Sequence, residues 1–205
     1  DPTLEDMLDY TNKDTFEEAR DYIFAKLKEG RVKEVYENIE LPLIPVVARM
    51  EKHGVKIDKI YLEKLSKEYH TKLTALQKEI WKLAGEEFNI NSPKQMGEIL
   101  FTKLGLAPKN QKKTSGGAKS TKESELEKLK DIHPIIQHIL EYRELQKLLS
   151  TYIDSIPERL GSDSRLHAEF IQTGSSTGRI SSKNPNMQNI PIKTDLGRRI
   201  RNAFI

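Results

Sequence analysis

The sequence predicts a mainly α fold with a small β part. Three observations carry this reading. Apolar residues recur at spacings of three or four over most of the first 160 positions, most clearly at Leu62, Leu65, Tyr69, Leu73, Leu76, Ile80 and Leu83, as a helix packed along one stripe requires. Ser, Thr or Asp stands at the places where helices would begin, where a side-chain oxygen can accept from free backbone N–H groups. After Gly161 the period falls to two, with Leu166, Ala168 and Phe170 alternating with Arg165, His167 and Glu169, which is a strand signal.

The first 30 residues read as one capped helix: residues 15–18 (Thr-Phe-Glu-Glu) form a capping-box pattern, Phe16, Ile23 and Leu27 share a face, and Gly30 is a stop. A second periodic stretch holds Val32, Val35, Tyr36 and Ile39, meets Pro42 and Pro45, and resumes through Val46, Val47 and Met50 to Gly54. The prolines are expected to kink or split it, because proline donates no N–H. Residues 55–58 form a short extended connector, and Asp58 is placed to cap a helix over residues 59–83. At about 1.5 Å per residue that helix is roughly 40 Å long. Ser92 then caps a short helix with Pro93 at its first position and Gln95 closing a box, ending near Leu104. Residues 109–119 are basic, glycine-rich and without apolar period, so a loop is expected there. Residues 120–123 open another helix, and Pro134 opens a longer one through Ile136, Ile139, Leu145, Leu148, Leu149 and Tyr152. Residues 175–189 are dense in Ser, Gly, Asn and Gln and show no helical pattern.

Charged residues make up 32% and hydrophobic residues 36% of the 205. No apolar run reaches the roughly 18 residues of a membrane span, and the first residues lack the basic-then-apolar signal pattern, so a cytoplasmic chain with no membrane partner is expected. The absence of cysteine excludes a disulfide scaffold and a thiolate metal site. His53, His70, His133, His138 and His167 show no metal-ligand spacing. The net charge of +3 is unevenly spread: residues 103–122 carry +6 and residues 178–205 carry +5, which leaves −8 on the remainder. Two solvated loops or a polyanionic partner would both account for this.

Arg143 and Lys147 stand four apart on one predicted helix, about 6 Å apart along its axis, and Ser150 and Thr151 continue the polar row. Cations and hydroxyls in a row suit contacts to successive phosphates; an ordinary solvated face, partly paired with Glu144, is the alternative. Residues 177–182 (Thr-Gly-Arg-Ile-Ser-Ser) and 184–191 (Asn-Pro-Asn-Met-Gln-Asn-Ile-Pro) gather one Arg, hydroxyls and amides with few apolar side chains. Such groups are solvated, cap turns or read a polar ligand. The minor groove presents nearly the same acceptors at every base pair, so Arg and Gln donors there would test pair geometry independently of sequence.

Several of these segments resemble the family A DNA polymerases of the bacterial DNA polymerase I type. They are residues 145–152 (LQKLLSTY), 176–182 (STGRISS), 186–191 (NMQNIP) and 197–204 (GRRIRNAF). Residues 35–46 (VYENIELPLIPV), 53–58 (HGVKID), 88–93 (FNINSP) and 113–121 (KTSGGAKST) match as well, in the family's order. The resemblance implies that residues 1–31 are the tail end of a 3′→5′ exonuclease-like domain, 32–160 a thumb of long helices, and 161–205 the start of an antiparallel palm sheet. It implies thumb contacts to the DNA backbone from Asn89, Asn91, Ser92, Lys119, Ser120 and Thr121. Arg143 and Lys147, with Ser150 and Thr151, would contact the duplex near the primer end. Thr177, Arg179, Gln188 and Asn189 would lie at the minor groove and template beside the growing terminus. Leu149 departs from the family, in which a lysine is common at that place.

Residues 10–14 (Tyr-Thr-Asn-Lys-Asp) match a motif of the family's exonuclease, in which Asp14 would hold a metal and Tyr10 orient the attacking water. Asp14 as a helix cap is the alternative. The expectation is therefore the primer-template-binding part of a DNA-directed DNA polymerase, ending before the palm aspartates and without the fingers. No residue of this chain is expected to be catalytic. Magnesium (Mg2+) and dNTP would bind only in the complete enzyme, with the palm and fingers half as partner. A stand-alone nucleic-acid-binding accessory protein derived from a polymerase thumb is the rival reading.

Overall fold

The computed structural model describes residues 3–30, 32–106, 117 and 119–205. The predicted loop at 109–119 therefore lies, except for Gly117 and Lys119, outside the described residues. In chain order the first elements are α1 (Leu4–Thr11), α2 (Phe16–Glu29), α3 (Lys33–Val35), α4 (Leu41–His53), β1 (Val55–Lys56), α5 (Lys59–Ala84), α6 (Pro93–Gly97) and α7 (Glu123–Leu126). They are followed by α8 (Pro134–Leu148), α9 (Ser155–Glu158), β2 (Arg165–Leu166), β3 (Glu169–Ile171), β4 (Ser181–Lys183) and α10 (Asp195–Arg201). The chain is mainly helical with short strands, as its periodicity predicts. It divides into two units, Asp1–His53 with Glu169–Ser181, and Gly54–Ala168 with Ser182–Ile205.

In the first unit the expected single helix over the first 30 residues is two. α1 begins with a reciprocal capping box between Thr3 and Asp6 and ends at Asn12, whose φ of 51° is left-handed. Asn tolerates that conformation better than most residues, and α2 restarts where Thr15 Oγ1 accepts from the Glu18 N–H at 3.3 Å. Thr15, not Asp14, is the cap. Pro42 and Pro45 do not split the next stretch. A π turn over Tyr36–Glu40 joins α3 to α4, with the Leu41 N–H donating to the Tyr36 carbonyl. The widened turn lies immediately before Pro42, where an ordinary ladder would lack a donor, and Pro45 is carried inside α4. β3 is tied to this helix by the Phe170 N–H, which donates to Glu51 at 2.7 Å. Gln172 Nε2 donates to the Glu40 carbonyl at 3.1 Å and to its carboxylate at 3.0 Å.

The second unit is built on α5, 26 residues long, capped by Asp58 through the Tyr61 N–H at 2.9 Å and stopped by Gly85 at a φ of 75°. Leu62, Leu65, Tyr69, Leu76 and Ile80 of α5 are buried against Ile135, Ile136, Ile139, Tyr142, Leu145 and Leu148 of α8. Met96, Ile99, Leu100, Leu126 and Leu129 close the core. α6 is shorter than expected and passes at Gly97 into a π turn over Glu98–Lys103. Gln95 does not close a capping box on Ser92: its Oε1 accepts from the Asn89 N–H at 2.7 Å, the donor within its reach in the preceding turn. A third π turn, Leu149–Ile153, follows α8, and Leu149 is buried in the core at 1% exposure.

β1 pairs antiparallel with β2, Val55 opposite Leu166 and Lys56 opposite Arg165. Its other edge takes the last residues of the chain: the Asp58 N–H donates to the Ala203 carbonyl at 2.8 Å and the Ile205 N–H to the Lys56 carbonyl at 3.0 Å. The strand expected from residue 165 onward breaks after Leu166, and β3 belongs to the first unit. The tail expected to continue a sheet instead forms α10, where Thr194 caps Gly197 and Ile200 is buried. Tyr69 Oη donates to the Leu196 carbonyl at 2.9 Å, Tyr61 Oη to the Arg199 carbonyl at 3.0 Å, and Arg199 grips Glu68 at 2.5 and 2.6 Å.

Candidate nucleic-acid interface

The turn after α5 is wound on its own polar groups. Trp81 Nε1 donates to the Phe88 carbonyl at 2.8 Å, the Asn91 N–H to Asn89 Oδ1 at 2.9 Å, and the Ser92 N–H to the Asn89 carbonyl at 2.9 Å. Ser92 Oγ accepts from the Gln95 N–H at 3.4 Å. These bonds leave the exposed Asn89 and Asn91 amide groups directed by a fixed backbone, with their N–H donors available to an acceptor.

Lys119, Ser120 and Thr121 differ sharply in exposure. Lys119 is exposed, with its Nζ 5.4 Å from the centroid of the Phe101 ring, whereas Ser120 and Thr121 are 4% and 7% exposed. The Thr121 carbonyl accepts from Arg143 Nη1, and Arg143 Nη2 lies 2.9 Å from Met96 Sδ. Arg143 is thus half-buried and bonded internally. Burial lowers its pKa, opposed by the carboxylate of Glu123. It is no free surface cation, and among the described residues it makes no ion pair with Glu144.

Lys147, one helical turn on, is exposed and has no ion-pair partner among the described residues. Ser150 and Thr151 are exposed beyond it; Ser150 Oγ donates to the Lys147 carbonyl at 3.4 Å and the Thr151 carbonyl accepts from Ser155 Oγ at 2.6 Å. Arg143 and Lys147 line one groove of about 670 Å³ together with Lys130, Glu127, Glu141 and Glu144. The structure adds these carboxylates to a face that the basic residues alone had suggested.

In the first unit, Thr177 and Arg179 are exposed around a turn at Gly178, whose φ of 74° suits glycine. The Ser175 and Thr177 hydroxyls share a hydrogen bond of 2.8 Å. In the second unit, the Gln188 N–H donates to Asn186 Oδ1 and the Met187 N–H to Ser182 Oγ, both at 3.1 Å, and the peptide bond before Pro185 is cis. Gln188 and Asn189 are exposed on this turn, and Gln188 lines a pocket of about 620 Å³ with Val55, Met187, Ile190, Arg201 and Phe204. Tyr10 is 83% exposed on α1, and Asp14 stands in the link to α2. Among the described residues no three His, Asp or Glu side chains are placed to hold a metal ion, Asp14 included, and no helix is long and apolar enough to cross a membrane. The described residues do not gather the carboxylates that a magnesium centre requires.

The family model described as DNA polymerase family A matches residues 59–205. The DNA polymerase I of Synechocystis sp. is 49% identical over 175 residues, which is 85% of this chain and 18% of that protein. The thermostable DNA polymerase I of Thermus thermophilus is 47% identical over 189 residues, 89% of this chain and 23% of the relative. A solved structure of the POL domain of Pol1 from M. smegmatis, in complex with DNA primer-template and dNTP, has a TM-score of 0.84 and 34% identity, covering 92% of this chain and 33% of that one. The chain spans about a fifth of the length of these two curated relatives.

Proposed function

The chain belongs to DNA polymerase family A, of the bacterial DNA polymerase I type, and from that premise we propose that it is the primer-template-binding part of a DNA-directed DNA polymerase. On this reading residues 1–31 are the end of an exonuclease-like domain, 32–160 the thumb and 161–205 the start of the palm. The observation that carries it is the exposed row Lys147, Ser150 and Thr151, which offers one unpaired ammonium and two hydroxyls to a phosphate backbone. Asn89, Asn91, Ser92 and Lys119 supply further backbone contacts. The buried Ser120 and Thr121, the latter held through its carbonyl by Arg143, shape the segment that presents Lys119. Arg143 borders the same groove as Lys147, facing the duplex near the primer end. Thr177, Arg179, Gln188 and Asn189 meet the minor groove and template. Magnesium and dNTP belong to the complete enzyme, with carboxylates from its palm and fingers half, so this chain alone is catalytically silent. Tyr10 and Asp14 are an exonuclease remnant without activity of their own.

Equilibrium binding of a primer-template duplex across a salt series tests this reading. The 205-residue chain should bind, and Lys147→Ala should weaken binding alike for all sequences and lower the salt slope of log K by about 0.9. Nucleotide incorporation with magnesium by pure chain, or no duplex binding at low salt, would refute the proposal.

A further inference from the structure

Lys94, Gly97, Phe101 and Thr102 lie along one face of α6 and the π turn after it, and with Lys119 and Thr121 they line a groove of about 550 Å³. Lys94 is exposed and has no ion-pair partner among the described residues. Glu98 also lines the groove, which leaves it one net positive charge. The Lys119 ammonium stands 5.4 Å from the centroid of the Phe101 ring, within the range of cation–π attraction. A lysine stem is flexible, and ordering it opposes binding. A ring that already holds the ammonium reduces that cost, while Phe101 itself is anchored against the core.

We infer that this groove is a two-lysine subsite for a DNA phosphate, in which Lys94 is a further contact and Phe101 is the positioning residue for Lys119. The inference rests on the duplex-binding reading above. The test is duplex binding by the 205-residue chain, across a salt series, for Lys94→Ala, Lys119→Ala, Phe101→Leu, Phe101→Tyr and the Phe101→Leu/Lys119→Ala double variant. Lys94→Ala should lower the salt slope by about 0.9, as one fewer counterion is released. Phe101→Leu keeps apolar volume but removes the ring, and should weaken binding roughly 2- to 5-fold. Phe101→Tyr should bind like the parent, and Phe101→Leu should cost nothing further once Lys119 is gone. An unchanged slope in Lys94→Ala, or an equal loss from Phe101→Leu with and without Lys119, overturns the subsite. If those variants are inert while Lys147→Ala still lowers the slope, only the subsite fails. A chain that binds no duplex removes the functional reading beneath it.

Discussion

The two units reach the same helical vocabulary by different means. In the second, α5 and α8 bury long apolar side chains completely, with Leu62, Tyr69, Ile80, Ile136 and Leu145 at 0% exposure. In the first, the buried apolar residues are Ala19 and Val47, while Leu4, Phe16, Ile39, Ile44 and Met50 stand about half exposed. Their ion pairs differ likewise. Arg20–Asp21, Lys26–Glu29 and Lys33–Glu37 in the first unit join near neighbours in sequence; the second unit has such local pairs too, among them Lys59–Glu63 and Lys128–Glu125, and adds Arg199–Glu68 and Lys72–Glu141, which join distant segments. Local caps and turns are enough to write helices; a packed core is needed to fix them, since helices this short are marginal alone.

The sharpest way to break this contrast is a pair of truncations. Leu65→Ala, at 2% exposure, should destabilise the chain by about 2–5 kcal/mol through lost burial and a residual cavity. Ile44→Ala, at 52% exposure, should change stability by no more than about 0.5 kcal/mol. Similar shifts for both in urea unfolding would mean that the first unit has a core of its own.

A smaller effect is expected at alkaline pH. Burial pushes the Tyr69 hydroxyl up to about 12 from its ordinary 10.0. A raised pKa gives stability that is whole below pH 10.0 and is lost as pH climbs toward 12. Tyr69→Phe should flatten that loss while giving up the bond to the Leu196 carbonyl. An unchanged alkaline limb in the variant would place the sensitive group elsewhere. The smallest effect concerns Glu68, whose carboxyl the Arg199 guanidinium holds below its ordinary 4.5. A lowered pKa gives stability present above pH 4.5 and lost as pH falls through the folded value. The pair is exposed, so Glu68→Gln should soften acid unfolding only slightly. A large shift would show that the pair holds α10 against α5.

Periodicity and the Asp58 cap made α5 legible over residues 59–83, one residue short of its end at Ala84, and the Thr15 and Ser92 starts equally so. The π turns at Tyr36, Glu98 and Leu149 were not legible, because a backbone bond to the fifth residue leaves the apolar spacing almost unchanged. α10 was hidden by its shortness, although Thr194 with Leu196 and Ile200 is its signature. At the candidate interface, Lys147 and Arg179 stand exposed as their charge suggested. The anchoring of Arg143 between Thr121 and Met96 depends on partners more than 20 residues away. No local pattern announces such partners.

Asp58 both caps α5 and, through its N–H, hangs on the Ala203 carbonyl at 2.8 Å. Mechanically this is a hinge pin at the root of a beam of 26 residues, about 39 Å long. A tilt of about 5° at the pin sweeps the far end through about 3 Å, the length of a hydrogen bond. Trp81 clamps the Phe88 turn to that end, so Asn89, Asn91 and Ser92 ride on the sweep. The aim of those side chains is therefore shared with the opposite end of the beam, where this backbone bond acts together with the Tyr61, Tyr69 and Glu68 ties to α10 and the packing against α8.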